Sequence, residues 1–93
     1  MTKYAIFLKR FLSGHSDTDI AFDDLCSLLK RLGFQERVHG DHHIFSKESI
    51  VEIINLQPDN AKAKPYQVKQ IRILLSKYRL DKERRWTPTN FKW

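Results

Sequence analysis

Apolar residues recur at helical spacing in three stretches of the chain, and a β-type pattern fills the gap between the second and the third. Tyr4, Phe7, Leu8 and Phe11 predict a short amphipathic helix over residues 2–12. Residues 13–19, SGHSDTD, are small and polar and read as a loop. In residues 20–34 Phe22, Leu25, Leu29 and Leu32 form one stripe with helical period. Asp23 and Asp24 fall in its first turn and Lys30 and Arg31 in its last, both placements favoured by the helix dipole, and Gly33 supplies a left-handed stop. Extended segments follow at 34–39 and 42–47, separated by the Gly40–Asp41 turn. A third strand, rich in β-branched residues, is predicted at 50–57. After a loop at 58–64, Pro65 opens a last helix over 66–80, with Val68, Ile71, Leu75 and Tyr78 on its buried face.

This order predicts an α+β fold. Apart from the first helix, it is the α-β-β-β-α arrangement of a double-stranded-RNA-binding (dsRBD-like) domain. Two helices would cover one face of an antiparallel three-stranded sheet and leave the other open. A chain of 93 residues, 41% hydrophobic, predicts a single domain over 1–93. It divides into an N-terminal helix and loop (1–19), a core (20–80) and a basic tail (81–93). The tail carries Trp86, Phe91 and Trp93, which are expected to pack in part against something.

Charge changes the picture. Residues 1–60 hold 7 Lys/Arg and 9 Asp/Glu, whereas residues 61–93 hold 10 and 2. A positive field attached to a near-neutral body favours a polyanionic partner, nucleic acid first, over a merely solubilising surface. One cysteine, Cys26, permits no intrachain disulfide and fits a reducing compartment. No apolar run reaches the length of a membrane span or a signal-peptide core, so a cytoplasmic location is expected.

The stretch HGDHHIF, residues 39–45, holds three of the four histidines. A shared metal is disfavoured: no cysteine lies close in sequence, and neighbouring residues on a strand point to opposite faces. With Phe45 facing the helices, His43 faces inward as a hydrogen-bonded structural histidine. His42 faces out at the start of the second strand. It reads either as an ordinary exposed polar residue or as a proton-transfer group. A phosphate-binding surface beside it would favour the second reading. Lys62 and Lys64 precede the last helix, whose N-terminus attracts anions, and Lys69 and Arg72 continue along it. His15 and His39 read as surface residues.

The run from FDDLCSLLKRLGF through GDHHIF to INLQPDNAKAKPYQVKQIRILLSKYRL resembles the HicA (YcfA-like) toxins, mRNA interferases of type II toxin–antitoxin modules. The resemblance spans residues 20–80. It implies a dsRBD-like fold, RNA cleavage without metal or other cofactor, and inhibition by a HicB-type antitoxin. It also implies catalysis by the first histidine of the pair, His42. Asp41 stands where the family carries serine; a carboxylate there can orient the imidazole but repels a substrate phosphate. Three readings follow. The first is a ribonuclease with His42 as acid/base and a basic rim of Lys62, Lys64, Lys69 and Arg72. The second is an RNA-binding module without cleavage, and the third a protein-interaction domain using the first helix and the aromatic tail.

Overall fold

The structure is a computed structural model and describes residues 2–80. The tail with Trp86, Phe91 and Trp93 lies outside the described residues. Helix α1 (Lys3–Ser13) starts at Thr2, whose Oγ1 accepts a hydrogen bond from the Ala5 amide at 3.0 Å, and stops at left-handed Gly14. Helix α2 (Phe22–Arg31) follows, then strands β1 (Gln35–His39), β2 (His42–Lys47) and β3 (Ile50–Leu56), and helix α3 (Pro65–Lys77). The strands form an antiparallel sheet in the order β1-β2-β3, so the expected α+β arrangement is observed.

Helix α2 is shorter than its apolar stripe predicts, for a reason in the backbone. Ala21 is extended. The Ile20 carbonyl accepts the Ala63 amide at 2.9 Å, and the Phe22 amide donates to the Ala61 carbonyl at 3.0 Å. These residues therefore pair with the loop before α3. That loop is itself a tight turn: Asp59 and Lys62 exchange both backbone hydrogen bonds, and Asn60 and Ala61 between them take positive φ, as in a type I′ turn. The segment read as an irregular loop thus fixes where α3 begins. Helix α3 also ends early, at Lys77; Arg79 adopts φ 59° and turns the chain so that Leu80 packs back on the core.

One core joins the three helices with strands β2 and β3. Phe11 from α1, Leu25, Leu28 and Leu29 from α2, Phe45, Ile54 and Leu56 from the sheet, and Val68, Ile71 and Leu75 from α3 are buried together. Helix α1 packs against both other helices. The Arg31 guanidinium lies 4.1 Å from the centre of the Tyr4 ring, adding a cation–π contact between α1 and α2. Strand alternation sends Phe45, Ile54 and Leu56 to this core and leaves Val51 and Ile53 on the opposite face, 88% and 67% exposed. One face of the sheet is covered and the other open.

Candidate active site

The β1–β2 turn places the site. His39 pairs with His42, so Gly40 and Asp41 are the two turn residues. Positive φ falls on Gly40 (62°) and not on Asp41, the pattern of a type II′ turn. A side chain at residue 40 would meet nothing within 4 Å, so it is the backbone angle that calls for glycine. His42 opens β2 on the exposed face. Its Nδ1 lies 3.2 Å from Oδ1 of Asn55, on the neighbouring strand. An amide oxygen only accepts, so Nδ1 carries the proton and Nε2 of the neutral ring keeps its lone pair.

Asp41 stands before that nitrogen. Its Oδ1 lies 3.9 Å from His42 Nε2, and its Oδ2 accepts a hydrogen bond from the Gln57 amide at 3.0 Å. The Gln57 amide, then the residue's own backbone amide, and last the fields of His42 and Lys64 hold the Asp41 carboxyl below its ordinary range. Lys64 is the N-cap residue of α3, set there by the 59–62 turn.

His43 points the other way, as alternation predicts. Its Nδ1 lies 2.7 Å from Oε2 of Glu36, and its ring meets Phe22 edge-on with centroids 4.9 Å apart. Glu36 is also paired with Lys30 at 3.2 Å. The bond from His43, followed by that from Lys30, keeps the Glu36 carboxyl below its usual range. The ligand-type atoms of Cys26, Glu36 and His43 lie within 4.8 Å of one another. In the described arrangement they are occupied otherwise: Glu36 bridges His43 and Lys30, and burial pushes the Cys26 thiol up to about 12, keeping it neutral. The trio is a polar seam within the fold.

The four expected rim cations have different partners. Lys64 acts on Asp41 beside His42. Lys62 is ion-paired with Asp19, which Arg10 also holds at 3.2 Å. Lys69 acts on Asp17. Arg72 binds both oxygens of Asp17 at 2.8 Å and donates to the Phe11 carbonyl at 3.1 Å. With side chains only 23% and 11% exposed, Arg72 and Asp17 fasten α3 to α1 and the loop after it. Three of the five N–H donors of the Arg72 guanidinium are thus engaged within the fold.

Sequence reasoning missed two polar neighbours of the site, Asn55 and Gln57. A signal for both was present. In INLQ, polar Asn55 and Gln57 alternate with the apolar positions 54 and 56, which places them on the open face. His39 is brought beside His42 by the two-residue turn.

Among the described residues, no helix is long and apolar enough to cross a membrane. Comparison with curated proteins finds no match, and comparison with solved structures finds none either. A family model described as the HicA toxin of bacterial toxin–antitoxin systems matches residues 22–79, from the start of α2 to just beyond α3. The chain therefore belongs to the HicA toxin family.

Proposed function

We propose that the chain is the toxin of a toxin–antitoxin module and acts in the cytoplasm as a metal-independent endoribonuclease on mRNA, with His42 as its acid/base catalyst. One observation carries this reading. His42 is exposed on the open face, and Asn55 holds its Nδ1 so that Nε2 is presented as a base. In the reaction Nε2 takes the proton of a ribose 2′-hydroxyl. The 2′-oxygen bonds to the adjacent phosphorus, the bond from phosphorus to the 5′-oxygen breaks, the leaving oxygen takes up a proton from water, and the imidazolium returns its own proton to solvent. Lys64 offsets the charge that grows on the non-bridging oxygens. Lys62 and Lys69 extend the cationic surface along the RNA once the substrate competes for them with Asp19 and Asp17. A HicB-type antitoxin silences the protein by covering His42 and Lys64.

The test is incubation of purified wild-type and His42→Ala protein with labelled mRNA in EDTA. The expected result is cleavage by the wild type alone, with products ending in a 2′,3′-cyclic phosphate. Equal cleavage by both proteins would refute the role of His42. A second reading, RNA binding without cleavage, is favoured by one observation: a carboxylate stands in front of the reactive nitrogen. Binding by the wild type with intact RNA, unchanged in His42→Ala, would establish it.

A further inference from the structure

The groups around the Asp41 carboxylate are those an anion site requires. One oxygen accepts from the Gln57 amide at 3.0 Å, and the other faces His42 Nε2 at 3.9 Å. The Lys64 ammonium acts on the same carboxylate through space, from the N-terminus of α3. An amide donor, an imidazole in its protonated form and an ammonium are groups that hold phosphate through charge-assisted hydrogen bonds. Here the anion they hold is the protein's own. A substrate phosphate next to His42 Nε2 would have to enter the same space, and two anions at about 4 Å repel. Asp41 can yield that space: it is exposed, at the tip of a two-residue turn, and nothing is packed over neighbouring Gly40.

We propose that Gln57, His42 and Lys64 form a seat for a phosphate group and that the Asp41 side chain is its resident occupant, so that the site is masked by its own chain. Gln57 becomes a phosphate ligand when Asp41 swings away, and RNA binding includes that displacement. The assignment of the seat to RNA rests on the proposed ribonuclease reading; the existence of the seat does not.

The probe is inorganic phosphate, titrated into full-length protein and followed by the amide and imidazole NMR signals of residues 41, 42, 57 and 64. Asp41→Asn keeps the size of the side chain and the acceptor for Gln57 but removes the charge. It is expected to bind phosphate about tenfold more tightly than wild type. Glu48→Gln removes the same charge at the far end of β2 and is expected to leave the affinity unchanged. In the Asp41→Asn background, Gln57→Ala is expected to reverse most of the gain with the melting temperature unaltered. No gain in Asp41→Asn, an equal gain in Glu48→Gln, or no effect of Gln57→Ala each overturns the proposal. Cleavage assays on the same proteins keep the two readings apart. If His42→Ala cleaves like wild type while Asp41→Asn still gains phosphate affinity, the ribonuclease reading fails and the seat stands. If cleavage depends on His42 but phosphate affinity ignores Asp41, the seat alone fails.

Discussion

His42 and His43 are neighbours in sequence and opposites in circumstance. His43 faces the helices, bonded to the Glu36 carboxylate at 2.7 Å and edge-on to Phe22. His42 faces outward, bonded to the Asn55 amide at 3.2 Å, with a carboxylate 3.9 Å from its other nitrogen. The inner ring is tied to a charge that is itself tied to Lys30. The outer ring is steadied by a neutral group that fixes its tautomer and leaves one nitrogen open. The difference lies in the second partner, not in the imidazole. A carboxylate in full contact makes a histidine structural, whereas an amide on one nitrogen and a carboxylate beyond hydrogen-bond reach at the other leave it able to transfer a proton.

Exchanging alanine between the two positions is the strongest way to break this contrast. His42→Ala is expected to lower RNA cleavage by about 10²–10⁴-fold and to leave thermal unfolding nearly unchanged. His43→Ala is expected to keep cleavage in the cold but to destabilise the fold by about 1–3 kcal/mol, because Glu36 loses a partner. Its melting temperature should fall by roughly 5–15 °C. The two results together require a cleavage assay and a calorimetric melt on each variant. Loss of cleavage without loss of stability at His43 would dissolve the distinction.

Cations provide a second contrast of the same kind. Arg72→Met leaves the Asp17 carboxylate and the Phe11 carbonyl without their donor. It is expected to destabilise by about 1–3 kcal/mol in denaturant titrations. Lys64→Ala, at the half-buried N-cap of α3, where the side chain makes no capping bond, should not shift the unfolding midpoint. It should weaken RNA binding and reduce its salt dependence by about one counterion.

Acid titration gives the smallest effect. The carboxyls of Asp17, Glu36 and Glu52 all lie below their ordinary range in the folded protein. Arg72 is the main cause for the first and His43 for the second. The third is held at about 2, chiefly by Lys77 and then by the Tyr78 hydroxyl. A depressed carboxyl contributes stability above its unfolded pKa, roughly 4, and loses that contribution as pH falls through the folded value. Melting temperature is therefore expected to hold from pH 7 to about 5 and to fall between about 4 and 2. Glu36→Gln should make that fall shallower, which melts across the pH range would detect.

The sequence announced the periodic parts of this fold. The stripe from Phe22 to Leu32 and the alternation through His43 and Phe45 fix which sides are buried, because burial is their physical cause. What escaped was whatever depends on contacts across the chain. The 59–62 turn was illegible because Asn60 and Ala61 carry no strong signal for a left-handed pair. Arg72 could not be separated from Lys69 on one helix face. Their fates differ through Asp17, more than fifty positions away. Asn55 and Gln57 were visible only as alternation at a strand end, and their role depended on register with a hairpin elsewhere.

The Arg72 clasp bears on how this toxin is built. The matched family span begins at residue 22, yet two of the groups Arg72 grips, the Asp17 carboxylate and the Phe11 carbonyl, lie upstream of it, and the Phe11 ring is fully buried in the common core. Helix α1 is thus an integral part of the fold rather than an appendage. Residues 22–79 transplanted into another scaffold would carry a guanidinium stripped of its counter-ion over a hole the width of a phenyl ring. The matched unit and the self-sufficient unit do not coincide.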